Sequence, residues 1–213
     1  MSVDRERIEA AVSEILAAIG EDPEREGLLE TPRRVAELYA ELFGGVGDDP
    51  ARALRSVFAA PAVKQVAPGG PGAATESGDQ PVLIRDITFR SICEHHFLPF
   101  EGVVHVAYVP SDRIAGLGSI VSVVESASSR PQLQERLTDD IADAIERGLG
   151  ARGVLVVVDA KHGCVSARGP RQTRSTTLTL AARGTLVEPA ARAEITALIA
   201  APRSDEHGGG DER

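Results

Sequence analysis

The chain has 213 residues, 42% of them hydrophobic but only 3% aromatic, and 32 acidic against 23 basic residues give a formal net charge of −9. That balance argues against general affinity for nucleic acid or anionic membranes, which want a basic face. No run of 18 apolar residues offers a membrane span, and aliphatic side chains and alanine must build the core. The first residues, MSVDRERIEA, lack the basic start and apolar centre of a signal peptide. The expectation is a cytoplasmic protein, whose two cysteines are thiols or metal ligands rather than a disulfide.

In chain order, Ile8, Val12, Ile15, Leu16 and Ile19 fall on one face of a helix over 4–19, stopped by Gly20. A second helix starts in ETPRRVAELYAELFGG, with Thr31 as its expected N-cap and Pro32 in the first turn. Its apolar stripe is Val35, Leu38, Leu42 and Phe43. Residues 61–80, rich in Pro, Gly and Ala, read as a mobile linker or long loop. Strands are expected over 82–90 and 101–109, helices over 116–128 and 132–149, strands over 153–160 and 175–182, and a last helix over about 188–200. The tail 202–213, which holds His207, reads as disordered.

This order divides the chain into an N-terminal helical extension (1–60), the linker (61–80), a compact block (81–201) and the tail (202–213). The block's β-β-α-α-β-β order implies an α+β fold, an antiparallel four-stranded sheet with two helices on one face. Such a sheet keeps two open edges, which invite pairing with copies of the same chain. A homo-oligomer is expected.

The chemistry concentrates in SICEHHFLPF, residues 91–100. Cys93 and His96 are spaced so that one turn can present both to an ion. The only other cysteine, Cys164, follows a strand in KHGCVSARG, beside His162. Two thiolates and an imidazole would leave zinc a fourth position for water, the arrangement of a catalytic site. His95 and His162 would then remain as proton carriers near neutral pH. From spacing alone, a pair of ordinary buried core cysteines is an equally open reading.

The segments ETPRRVAELY, SICEHHFLPFEG, VHVAYVP, AGLG, RPQLQERLTDDIADAI and HGCVSARG, in this order, resemble the GTP cyclohydrolase I family. The resemblance covers roughly residues 20–184 apart from the linker. It implies the tunnelling fold, assembled through pentamers into a decamer with active sites at subunit boundaries. It also implies Zn2+ on Cys93, His96 and Cys164, guanine recognition by Gln134 and Glu135, and proton transfer by His95 and His162. Arg34 and Arg168 match substrate-binding arginines, whereas His105 is expected to be an ordinary strand residue. The implied reaction is attack of zinc-activated water at C8 of a guanine nucleotide, with release of formate; GTP would give 7,8-dihydroneopterin triphosphate.

One region departs from the family pattern. Where the family carries Ser-Lys and, three positions on, Arg, this chain has Gly118, Ser119 and Ser122, and Glu37 stands in place of a lysine. Three missing cations, at about 1.5–3 kcal/mol for each charge-assisted hydrogen bond, would weaken phosphate binding by roughly 4–9 kcal/mol. Arg171 and Arg174 are candidates to compensate. Two alternatives follow: a cyclohydrolase for a less phosphorylated or modified purine nucleoside or nucleotide, which could stop at a ring-opened product, and a non-catalytic relative that serves as assembly partner or regulator. The retained ligands, proton carriers and base reader argue against the second.

Overall fold

The computed structural model describes residues 3–60 and 80–202. The expected linker, except Gln80, and the tail beyond Pro202 lie outside the described residues. Helix α1 (Arg5–Ala18) starts at Asp4, whose carboxylate accepts from the Arg7 N–H. Helix α2 (Thr31–Leu42) has Glu30, not Thr31, at its N-cap; Thr31 is already helical, and the first turn closes through the Arg34 N–H donating to Glu30 O. The two helices pack on each other, yet α1 buries no residue, and Ile15, Ile19 and Leu38 stay largely exposed. The stripes read from the sequence are real but only partly covered among the described residues: Phe43 is buried, and Ile8, Val12, Leu16, Val35 and Leu42 are half-buried.

A short 3-10 turn, Pro50–Ala53, leads to β1 (Val57–Ala59), which pairs antiparallel with β4 (Arg113–Ala115) in a separate ribbon. The main sheet contains β2 (Val82–Cys93), β3 (Pro99–Val109), β5 (Pro131–Gln132), β6 (Gly153–His162) and β7 (Thr177–Gly184), in the order β5-β2-β3-β6-β7. Its four long strands are antiparallel, as expected. The fifth, β5, was not anticipated: it joins in parallel through Ile92↔Pro131 and Cys93↔Gln132. That pairing delays the following helix to residue 134, two residues later than the periodicity suggested.

Helices α3 (Leu117–Ser128) and α4 (Gln134–Leu149) cover one face of the sheet. Val104, Val106, Val154, Val156 and Val158 meet Ile120, Val123, Val124, Leu137, Ile141 and Ile145 there. Burying each Leu or Ile contributes about 1.5–3 kcal/mol, so aliphatic packing replaces the missing aromatics. The alternate strand positions Ala107, Val109, Leu155 and Val157 point the other way. They meet Leu186 and Ile195, the latter on helix α6 (Pro189–Ala200). His105 also lies on a strand, buried, with Nδ1 accepting from the Asp86 N–H.

Among the described residues the sheet keeps open edges. On one side β5 pairs with β2 only at Ile92 and Cys93, and on the other Leu178 and Leu180 of β7 are exposed. No helix among the described residues is long and apolar enough to cross a membrane.

Gly102 shows how tightly β3 and β6 approach. A Cβ there would stand 1.9 Å from the Asp159 carbonyl oxygen and 2.7 Å from Ala160 Cα. Only glycine fits such a contact. Gly102→Ala should therefore lose about 1–3 kcal/mol, the usual penalty for overpacking, as read by denaturant unfolding. Unchanged stability would contradict the close approach.

Candidate metal centre and active site

The site is built by strand register. The start of β3 lies opposite the end of β2 (Ile92↔Pro99) and the end of β6 (Phe100↔His162). Cys93, the last residue of β2, thereby meets the segment just past β6. There a single helical turn, α5 (Gly163–Ser166), carries Cys164. Gly163 permits this, since a Cβ at that position would stand 2.8 Å from Pro99 O.

The chain leaves Cys93 in a closed turn. The Cys93 N–H donates to Leu98 O, and the Phe97 N–H donates back to Cys93 O, both at 2.9 Å. Phe97 adopts φ 54°, which a bulky side chain rarely takes, and its ring rests edge-on against Phe43 at 5.9 Å. Glu94, His95 and His96 occupy the turn between them, with both histidines exposed.

One ligand atom each from Cys93, His162 and Cys164 lies within 4.8 Å of the others, the one such group of three or more potential donors among the described residues. The donor types and their number fit a zinc site with one position left for water. Burial and the neighbouring Cys93 sulfur push the Cys164 thiol above its ordinary range, while the Arg168 guanidinium pulls the other way. Metal binding must displace such thiol protons, so it favours higher pH.

His162 is held from two sides. Its ring stacks on Phe100 at 4.8 Å, 2° from parallel, and its Nε2 lies 2.7 Å from Gln134 Oε1. The Gln134 amide nitrogen donates to Val158 O, Thr177 O and Thr179 Oγ1, so its oxygen is the end that faces the imidazole. An oxygen can only accept. Nε2 therefore carries the proton and Nδ1 is left bare. Burial lowers the His162 pKa, and the Glu135 carboxylate partly offsets this.

The residues singled out from the sequence fall into different places. Cys93, Cys164, His162 and Gln134 converge directly, and Glu135, exposed on the first turn of α4, acts on His162 electrostatically. His95 and His96 stand on the adjoining turn, with His96 outside the three-donor group. Arg168 lies near Cys164, whereas Arg34 is exposed on α2 and shares no side-chain hydrogen bond or ion pair with the group among the described residues. Gln134 is buried, with both ends of its amide engaged inside the protein. The sequence reading passed over Phe100, Glu94 and Arg136. Glu94 and Arg136 directly flank selected residues, which was the available signal, whereas Phe100 has no selected neighbour in sequence and meets His162 only through strand register.

In the metal-free protein, the His162 ring should titrate below the ordinary value of about 6.5. Its neutral form is the one the fold favours, so its contribution to stability is complete above that value and falls away as pH drops below it. Glu135→Gln should lower the His162 pKa further, because the carboxylate is what raises it. NMR titration of the imidazole resonances reads both effects, and an upward shift in the variant would contradict the geometry.

Comparison with known proteins agrees with this site. Residues 8–200 match the family GTP cyclohydrolase I. The chain is 56% identical over 196 residues to GTP cyclohydrolase 1 of Leifsonia xyli subsp. xyli (strain CTCB07), covering 92% of this chain and 95% of that protein. It is 50% identical to GTP cyclohydrolase 1 of Rhodopirellula baltica (strain DSM 10527 / NCIMB 13988 / SH1), covering 92% and 80%, and 46% identical to that of Streptococcus pyogenes serotype M18 (strain MGAS8232), covering 93% and 95%. With this similarity along nearly its whole length, and with a Cys-His-Cys group suited to zinc, the chain belongs to the GTP cyclohydrolase I family.

Proposed function

We propose that the protein hydrolyses the imidazole ring of GTP at C8, releasing formate on the way to 7,8-dihydroneopterin triphosphate. One observation carries this reading: two sulfurs and an imidazole converge one hydrogen bond away from the α4 turn that presents Glu135. Bound zinc supplies a Lewis acid that makes water nucleophilic at neutral pH. The remaining work belongs to side chains. Glu135 is free to accept hydrogen bonds from the guanine N1–H and 2-amino group, which orients the base. Gln134, whose amide is engaged internally, serves that recognition by orienting His162. His95, exposed on the metal turn, protonates the ring nitrogen next to C8, and His162 carries protons through the second hydrolysis and the opening of the sugar. Arg34 and Arg168 contribute positive charge toward the phosphates.

For the metal we assign Cys93, Cys164 and His96, with His162 kept as the proton carrier. His96 is exposed on the same turn, three residues from Cys93, the spacing at which a turn can present both to one ion. His162 lies between the sulfurs and the base-reading carboxylate, where a proton carrier is needed. The present position of His162 favours a second reading in which it is the third ligand. Its Nε2–H bond to Gln134 is of the kind that orients metal-bound histidines. Zinc content separates the two readings: His96→Ala should lose stoichiometric zinc and His162→Ala should keep it. The reverse result would move the ligand role to His162.

A weaker grip on the phosphates also finds support. Ser119 is buried, and its hydroxyl accepts from the Ser56 N–H at 3.0 Å, so it fastens α3 to the segment before β1. Glu37 is paired with Arg33 at 2.6 Å. Neither offers a cation to a triphosphate, and Arg171 and Arg174 are exposed.

We further assign the protein to a cytoplasmic homo-oligomer, in the family's manner a decamer of two pentamers. The open sheet edges and two free thiols suit that reading.

Zinc-loaded protein should release formate from GTP, and release from none of GTP, GMP and guanosine would contradict the function. If the grip is relaxed, kcat/KM for GMP should lie within about tenfold of that for GTP, since each lost charge-assisted bond removes about 1.5–3 kcal/mol of discrimination. A thousandfold preference for GTP would restore full triphosphate recognition.

A further inference from the structure

The first turn of α4 places three consecutive side chains on three different tasks. Gln134 points inward to His162, and Glu135 makes no hydrogen bond or ion pair among the described residues. Arg136 reaches the metal turn. Its two terminal nitrogens donate to the two carboxylate oxygens of Glu94, each at 2.8 Å, in a two-pronged pair. Glu94 directly follows Cys93, and Arg136 directly follows Glu135. The pair therefore joins the turn bearing Cys93, His95 and His96 to the turn bearing the base reader. The backbone reinforces the link: Cys93 pairs with Gln132, and the Glu94 N–H donates to Gln132 O at 3.1 Å.

As a stabilising device this pair is poorly placed. The side chains are 47% and 32% exposed, and exposed ion pairs add little to folding. What a two-pronged guanidinium–carboxylate contact does well is fix orientation, because both partners are planar and both bonds must form together. Either partner alone would leave the turn its backbone bonds at Cys93, Glu94, Phe97 and Leu98 and the Phe97–Phe43 contact, but no side-chain link from Glu94 to the α4 turn that carries Glu135.

We infer that Arg136 and Glu94 form a positioning pair that sets the separation between the metal turn and Glu135, so that a base held by Glu135 presents its reacting carbon to the metal. The inference rests on the function proposed above. It assigns neither residue a contact with substrate; both act through their neighbours. A displacement of about 1 Å at a reacting centre can lower the rate by about 100-fold, whereas binding of the rest of the substrate is barely affected.

The test uses zinc-loaded and cobalt-loaded full-length protein carrying Glu94→Gln, Arg136→Met, both together, and the charge-conserving Arg136→Lys. Each single variant should retain stoichiometric metal and the melting temperature of the parent within a few degrees. The kcat for GTP should fall roughly 10- to 100-fold, with KM changed by less than about threefold. The double variant should be no worse than either single one, because the pair acts as a unit. Arg136→Lys should remain impaired, since lysine keeps the charge but not the fork. In the cobalt-loaded parent, adding GTP should shift the visible bands, and this shift should shrink in the single variants at saturating GTP.

Singles within twofold of the parent in kcat, additive losses in the double variant, or loss of metal from Glu94→Gln would each overturn the inference. A parent that releases no formate would defeat the function itself. The cobalt spectra still decide the pairing in that case: an equal GTP-induced shift in parent and variants, or none in the parent, overturns it.

Discussion

The antiparallel pairing of β3 with β6 is the constraint on which the rest of the structure depends. It runs without interruption from Phe100↔His162 to Val109↔Gly153. A slip of one residue would turn every side chain of one strand to the wrong face, moving the valines out of the core. The same slip would take His162 away from Phe100 and separate Cys164 from Cys93. Core packing and site assembly are thus enforced by one register. The large aliphatic interface against α3 and α4 holds the small polar site in place. Gly102, which allows the two backbones to approach, belongs to the same constraint although it has no side chain to offer.

Around that register, α4 acts as the organising element. Its buried stripe of Leu137, Ile141, Ile145 and Leu149 fixes the helix on the sheet, and its N-terminal turn then projects over the site. From that turn, Gln134 orients His162, Arg136 grips Glu94, and Glu135 makes no hydrogen bond or ion pair among the described residues. Thr138 extends the network inward, donating to Gln134 O and lying 2.6 Å from the Thr179 hydroxyl. Strand β7 thereby joins the support of a histidine that sits beyond the end of its pairing with β6. An exposed carboxylate between two anchored neighbours suits recognition of a base with adjacent N–H donors, because little is reorganised when that base arrives.

Much of this was legible in the sequence, for a physical reason in each case. Period-two valines in GVLVVVDA and EGVVHVAYV reported strands, and the spacing of Leu137, Ile141, Ile145 and Leu149 reported a helix with one buried face. Cys93 and Cys164 were only half legible: their spacing to nearby histidines suits metal ligands, but buried thiols in the core explain lone cysteines equally well, and the family resemblance tips the balance. Other features were not. The two-residue strand β5 has no periodicity to detect, and the N-cap of α2 shifted from Thr31 to Glu30 through local backbone bonding. The two tasks of Gln134 and Glu135 could not be separated by reading along the chain. Neighbours in sequence point in different directions on a helix, so one became buried and the other exposed. The pairing of Glu94 with Arg136 spans 42 positions and depends wholly on tertiary structure.

The central claim is that two sulfurs from opposite halves of the chain share one ion. Zinc K-edge X-ray absorption on the purified, reduced, zinc-loaded protein tests it most directly. The account predicts one zinc per chain with two sulfur scatterers at about 2.3 Å and lighter nitrogen or oxygen scatterers at about 2.0–2.1 Å. A shell of nitrogen and oxygen alone, or zinc far below one per chain, would contradict it.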